Sequence, residues 1–151
     1  AILLMERMDD IVWSINPRND SLDNLLMRVR NFATTLFEAR GLDYTIDIQK
    51  DLDQVKLPMD YRQHIYMILK EAINNLVKYS GAAQASIRVS REAETLTLSV
   101  RDNGRGFDTD KPRTGNGIPG MKRRADAMGA TIEVQSKPGA GTTIIIQMNI
   151  R

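Results

Sequence analysis

The apolar positions along the chain alternate between helical and extended spacing. Leu4, Met5, Met8, Ile11, Val12 and Ile15 recur at helical intervals, close to two heptads of a seam. That pattern fits either a helix packed on its own domain or the end of a dimerisation helix, and two heptads do not separate the two. Asn16 precedes Pro17, which biases it away from the α conformation and makes 17–20 a linker. Ser21 is placed to cap a second helix. The apolar face of that helix is Leu22, Leu25, Leu26, Val29, Ala33, Leu36 and Phe37, and Gly41 is a suitable stop. Tyr44, Ile46 and Ile48 alternate as a strand, and 51–58 reads as a polar connection. The strongest periodicity lies between 60 and 79, where Ile65, Ile68, Leu69, Ala72, Ile73 and Leu76 form one helical stripe.

Ser80-Gly81-Ala82 breaks this helix. Two strands are predicted next, at 85–91 and 95–101, joined by a tight turn near Glu92-Ala93-Glu94. Residues 107–116 have no apolar period and read as a polar loop. A helix over 118–128 carries Pro119 in its first turn, where proline is tolerated, and Gly129 closes it. Strands at 131–136 and 142–150 flank the turn Lys137-Pro138-Gly139-Ala140-Gly141. The order of elements predicts an α/β (α+β) two-layer sandwich, with a mixed β-sheet carrying helices on one face.

Composition narrows the function more than the fold. The 151 residues suffice for one domain with a proper core, and 42% apolar content is ordinary for a soluble protein. A formal net charge of +2, with aromatics sparse and not interleaved with basic residues, argues against nucleic-acid binding. The absence of cysteine excludes disulfides and thiolate metal sites and fits a reducing compartment. One histidine makes a His-based zinc site improbable. His64 is assigned a structural role, and Lys122-Arg123-Arg124 reads as a solvated helix face. No apolar run reaches membrane-spanning length. The first residues lack the basic leader and small-residue cleavage site of a signal peptide, and they read as the continuation of something longer.

The chemistry gathers in four places. On the 60–79 helix, Glu71, Asn75 and Lys78 fall within about 60° of one another and form a polar stripe beside the apolar one. Asn75 offers a neutral carbonyl oxygen of the kind Mg²⁺ accepts alongside water and phosphate. Lys78 is a point charge suited to phosphate, and Glu71 can polarise a water or nucleophile. Alone, the stripe reads equally as a solvated flank with helical i,i+4 pairs. After the 95–101 strand comes Asp102-Asn103-Gly104-Arg105-Gly106-Phe107. An ionised Asp102 only accepts hydrogen bonds, so it suits the exocyclic amine of adenine and repels the carbonyl of guanine. Gly104 and Gly106 permit close ligand approach. The ordinary alternative is an Asp-Asn-Gly hairpin turn, but the chain that follows is not a strand. Gly115, Gly117 and Gly120 precede and open a helix, whose free N–H groups suit phosphate. The loop before them, with Lys111 and Arg113, has the length of a functional lid. Thr142 and Thr143 open the last strand, where they either meet a nucleotide or serve as β-branched strand residues.

Taken together these motifs resemble the ATP-binding domain of sensor histidine kinases, in the superfamily shared with DNA gyrase, the heat-shock chaperone ATPase and mismatch-repair ATPases. Glu71-Ala72-Ile73-Asn74-Asn75-Leu76-Val77-Lys78-Tyr79-Ser80 resembles the N box, Asp102 to Phe107 the G1 box, and Gly115-Asn116-Gly117-Ile118-Pro119-Gly120-Met121 the G2 box. Gly141-Thr142-Thr143 resembles the last glycine element. The likeness is to the short-lid branch that often signals to helix-turn-helix response regulators. It implies a Bergerat ATP-binding fold over 21–151. Residues 10–17 resemble the end of the dimerisation helix in large bacterial sensors, some with propeller-type sensor domains, which would make 1–16 the end of that helix. The family implies ATP and Mg²⁺ as cofactors, with Asn75 on the metal and Asp102 on the adenine amine. Gly104, Gly106, Gly115 and Gly117 would shape pocket and lid, Thr142 would bind near the nucleotide, Lys78 would face phosphate and Glu71 would assist transfer. Tyr79 stands where the family usually has histidine.

The resemblance implies a protein-histidine kinase that passes the γ-phosphate to a histidine on its own dimerisation domain, with a response regulator downstream. No phosphoacceptor motif is present, so that histidine is expected upstream of Ala1, and the present chain is expected to be incomplete for autophosphorylation. A homodimer is expected of the full-length protein, with a cytoplasmic catalytic domain and a parent that is either soluble or anchored in the inner membrane. Two other readings use the same fold: a serine kinase of the anti-sigma-factor type, and a nucleotide-binding interaction module without transfer activity.

Overall fold

The computed structural model describes residues 21–52, 54–111 and 117–150. The expected helix over 1–15, the linker at 17–20, Arg113 and Gly115 lie outside the described residues. The order of elements is α1 (Leu22–Ala39), β1 (Asp43–Ile48), α2 (Met59–Tyr79), β2 (Gln84–Glu92), β3 (Thr95–Asp102), α3 (Ile118–Ala127), β4 (Thr131–Ser136) and β5 (Thr142–Asn149). Ser21 caps α1 as expected, its Oγ accepting from the Asn24 N–H at 3.3 Å. Gly41 and Gly129 follow α1 and α3 with positive φ.

The strands form one mixed sheet in the order β1-β2-β3-β5-β4. β1 runs parallel to β2, and every other pair is antiparallel. Strand alternation sends one side of each strand inward. Ile87, Val100 and Ile144 stand in register across β2, β3 and β5, as do Val89, Leu98 and Ile146, and all six are buried. Arg88, Arg101 and Gln147 occupy intervening positions and are exposed. The helices cover the apolar side: α1 packs on β1 and α2, α2 on β3 and α3, and α3 on β4. α2 contributes Ile65, Ile68, Leu69, Ala72, Ile73 and Leu76 to this core, the same residues as its sequence stripe.

The segment at 51–58 departs from expectation. It is not a polar connection, because Leu52, Val55 and Leu57 are buried. The Leu22 N–H donates to the Val55 carbonyl at 3.0 Å, and Ser21 bridges to Lys56. Three apolar residues at irregular spacing carry no period, so their burial is set by the tertiary contact with the start of α1.

Candidate functional site

The inward-facing row of β3 is Leu96, Leu98, Val100 and then Asp102. A carboxylate therefore replaces an aliphatic side chain at the end of a core-facing row. β3 is the central strand, so Asp102 sits at a strand end within the sheet rather than on an edge strand. It is only 7% exposed. Its Oδ1 accepts the Gly104 N–H at 2.8 Å, and the backbone N–H of Thr142, its partner on β5, also donates to the carboxylate. Burial pushes the Asp102 carboxyl above its usual range, and the two N–H donors pull partly against that shift. A carboxylate has more acceptor sites than two amides fill.

Asp102 lies in a cleft of about 560 Å³, open to solvent, between the end of the sheet and α2. Its apolar wall is Val100 and Ile144 from the sheet, Ala72 and Leu76 from α2, and Ile118 from the start of α3. Asn75, Tyr79, Ser80, Arg105, Gly106, Phe107 and Thr142 complete the lining. An apolar slot with a few convergent polar groups is the usual form of a small-ligand site. A flat heteroaromatic ring would meet aliphatic side chains on its faces and the carboxylate at one edge.

Four of the residues singled out in the sequence meet here: Asn75, Asp102, Gly106 and Thr142. The helix face on the cleft is Ala72, Asn75, Leu76 and Tyr79, an i, i+3, i+4, i+7 set. Asn75 belongs both to this face and to the expected polar stripe. Glu71 and Lys78 lie roughly 100° round the helix from its middle. Lys78 is exposed and outside the lining, as is the half-buried Glu71. Glu71 instead packs under Gly117, the residue before α3. Gly117 has φ 73°, and a Cβ there would run into the Glu71 carboxyl group. Gly104 also stands outside the lining. A Cβ on it would strike the Ser80 carbonyl, which accepts the Arg105 N–H at 2.8 Å, so this glycine allows the turn after β3 to sit on the end of α2.

Sequence reasoning gave no separate role to Asn103, Ser80, Ser136 or Phe107. The Asn103 Oδ1 accepts from the Ala83 and Gln84 N–H groups at 3.0 and 2.9 Å, which joins the turn to the start of β2. Ser80 accepts from the Ala82 N–H at 3.1 Å through its Oγ. The Ser136 Oγ accepts from the Phe107 N–H at 2.8 Å. Only the turn chemistry of Asx and Ser residues hinted at these links. His64, assigned a structural role from the sequence, has its Nδ1 3.3 Å from Arg124 Nη1. That contact draws Arg124 partly inward, while Lys122 and Arg123 remain exposed.

The family described as histidine kinase-, DNA gyrase B-, and HSP90-like ATPase matches residues 60–151, and the chain belongs to it. Sensor protein VraS of Staphylococcus saprophyticus is 33% identical over 114 residues, which are 70% of this chain and 33% of that protein. VraS of Staphylococcus haemolyticus is 32% identical over the same length. The chain spans about a third of the length of these curated relatives. Among solved structures, Acinetobacter baumannii histidine kinase AdeS aligns with a TM-score of 0.70 at 20% identity, over 98% of this chain and 77% of that one. The catalytic domain of histidine kinase ThkA gives 0.70 at 15% identity, over 86% and 94%. These likenesses establish the fold, a mixed five-stranded sheet with helices on one face.

Proposed function

We propose that the chain binds Mg-ATP in the Asp102 cleft and serves as the catalytic part of a sensor histidine kinase. The buried Asp102 carboxylate at the end of an apolar slot carries this reading. Its open acceptor sites suit the adenine amine, and Val100 and Ile144 suit the faces of the ring. From there the triphosphate extends toward α3 and the loop before Gly117. Gly106 and Thr142 border the nucleotide, and Gly104 and Gly117 hold the two turns that frame it. The resemblance assigns Lys78 and Gly115 to the phosphate end; Lys78 is exposed outside the lining and Gly115 lies outside the described residues.

In this reading Asn75 holds the metal. It is half-buried on the cleft face of α2, and its amide oxygen is a hard donor without charge. Among the described residues no cluster of three or more His, Cys, Asp or Glu side chains could hold an ion. A single neutral amide oxygen fits Mg²⁺ that arrives with its own water and phosphate ligands. The ion would supply neutralisation of phosphate charge. The chain's residues position the nucleotide, which is what phosphoryl transfer chiefly requires of a protein. Glu71, fixed beside the start of α3, assists at the transfer end.

The acceptor is a histidine on a dimerisation domain of the same protein, in cis or in trans within a homodimer, and a response regulator receives the phosphate from it. No helix of the described residues is long and apolar enough to cross a membrane; the catalytic domain works in the cytoplasm, whether or not its parent is anchored. Calorimetric titration with Mg-ATP, followed by incubation with a histidine-bearing helical hairpin, tests the reading. ATP binding with acid-labile phosphate on the hairpin is the expected result. Binding without transfer indicates an interaction module, and acid-stable phosphate on a partner protein indicates a serine kinase. Asp102→Asn should weaken ATP binding by about 1–3 kcal/mol or more, since an acceptor is partly replaced by a donor. Unchanged affinity would remove Asp102 from adenine recognition.

A further inference from the structure

The Ser136 hydroxyl joins three segments around the cleft without lining it. It accepts the Phe107 N–H at 2.8 Å, lies 3.0 Å from the Gly141 carbonyl oxygen, and lies 2.8 Å from the Thr142 hydroxyl. Phe107 and Thr142 both line the cleft. A serine hydroxyl has one hydrogen to give and two lone pairs to accept with. The Phe107 N–H occupies one lone pair. The Gly141 carbonyl can only accept, so it takes the single hydrogen. The Thr142 hydroxyl must then donate to the second lone pair. In this arrangement all three contacts are satisfied and Ser136 is saturated. Thr142 has spent its hydrogen, so its Oγ1 keeps only acceptor capacity. Its β3 partner is Asp102, whose ionised carboxylate is likewise acceptor-only.

We propose that Ser136 is a specificity-determining positioning residue. By fixing the direction of the Thr142 hydroxyl, it makes the cleft floor a double acceptor that selects a 6-aminopurine nucleotide over its 6-oxo counterpart. The inference rests on the adenine-nucleotide reading given above. An exocyclic amine carries two hydrogens and matches two acceptors, directly or through water. A 6-oxo purine presents a carbonyl there, which meets two acceptors and no donor. Without the Ser136 hydroxyl, Thr142 is free to turn and donate to that carbonyl, and discrimination falls to Asp102 alone.

The experiment compares affinities for ATP and inosine triphosphate by calorimetry. The wild-type chain should prefer ATP. Ser136→Ala should lower the ratio of the two affinities about tenfold, the worth of one hydrogen bond. Ser136→Thr keeps the hydroxyl and should keep the ratio. In a Thr142→Val background Ser136→Ala should change the ratio no further, because Ser136 acts through Thr142. A ratio unchanged in Ser136→Ala, with both nucleotides weakened alike or neither weakened, overturns the inference and leaves Ser136 a structural link. If the alanine variant does not fold, Ser136→Cys retains the shape with a weaker donor, and the same fall or constancy of the ratio decides. A wild-type chain that binds neither nucleotide overturns the adenine reading itself, and this inference with it; a wild type that prefers ATP confines any failure to Ser136.

Discussion

The proposed adenine role sets two opposed demands on the Asp102 side chain. Binding an amine requires the carboxylate ionised, while burial favours the neutral acid and raises its pKa from the usual 3.8. A carboxyl whose folded pKa lies above its unfolded value contributes most to stability below the unfolded pKa. It loses that contribution as pH rises through the folded pKa. The stability of the wild type minus that of Asp102→Asn should therefore fall as pH rises from about 3.8 through the raised value. The amide does not titrate, so the slope of this difference in urea denaturation isolates the carboxyl. A rising slope would mean that the two N–H donors outweigh burial. Gly117 poses a steric demand at the same scale. Alanine there meets the Glu71 carboxyl group as well as the strain of φ 73°. Gly139 has φ 80° with nothing within 4 Å of its would-be Cβ, so alanine there carries the strain alone, about 1–2 kcal/mol. Gly117→Ala should exceed Gly139→Ala in denaturation and should also weaken ATP binding; equal costs would show that Glu71 moves aside freely.

Among the elements, those with a clear period were legible and those positioned by tertiary contact were not. The helix expected over 60–79 is α2 at Met59–Tyr79, and the strand expected at 131–136 is β4. The strand pairing was not readable, because the parallel union of β1 with β2 depends on the crossover through α2 and not on either strand's pattern. The lining of the candidate cleft was legible where a motif names a strand end or turn, as at Asp102, Gly106 and Thr142. It was less legible on α2, where the sequence gives the spacing of Glu71, Asn75 and Lys78 but not the angle at which the helix docks. Ala72 and Leu76 belong to the apolar stripe and Tyr79 stands where the family usually has histidine; the docking angle makes all three cleft wall. The glycine cluster before α3 was similarly ambiguous. Gly117 is the residue at the turn, but Gly120 lies within α3 without positive φ, and a Cβ added to it would meet only the Arg123 guanidinium of the same helix, at 3.6 Å. A helical glycine with open space around it weakens the helix. Gly120→Ala should therefore stabilise the domain by about 0.4–1 kcal/mol and leave ATP affinity unchanged. Loss of affinity in calorimetry would show that the backbone at Gly120 itself approaches phosphate.

For the molecule as a whole, the proposed binding cleft and the core share β3. This central strand supplies Leu96, Leu98 and Val100 to the core and Asp102 to the cleft. The carboxylate is held by an N–H from the following turn and one from β5, and that turn rests on the end of α2. None of these partners is in place when the sheet comes apart, so the unfolded chain offers ATP no comparable site. A ligand that binds only the folded state raises the unfolding free energy by RT ln(1 + [L]/Kd), about 2.7 kcal/mol at a hundredfold excess over Kd. For a chain of this size that raises Tm by on the order of 8 °C. The rise should grow logarithmically with ATP concentration. It should shrink sharply in Asp102→Asn, whose cleft keeps its apolar walls but has one carboxylate acceptor replaced by a donor. Gly120→Ala, in contrast, should shift Tm by a constant amount at every ATP concentration, because it changes the helix and not the ligand's affinity. Thermal denaturation of the three proteins across an ATP series measures all of this together. If the wild-type Tm does not depend on ATP, the cleft is not the nucleotide site. If Asp102→Asn tracks the wild type, the carboxylate is only a strand-end cap.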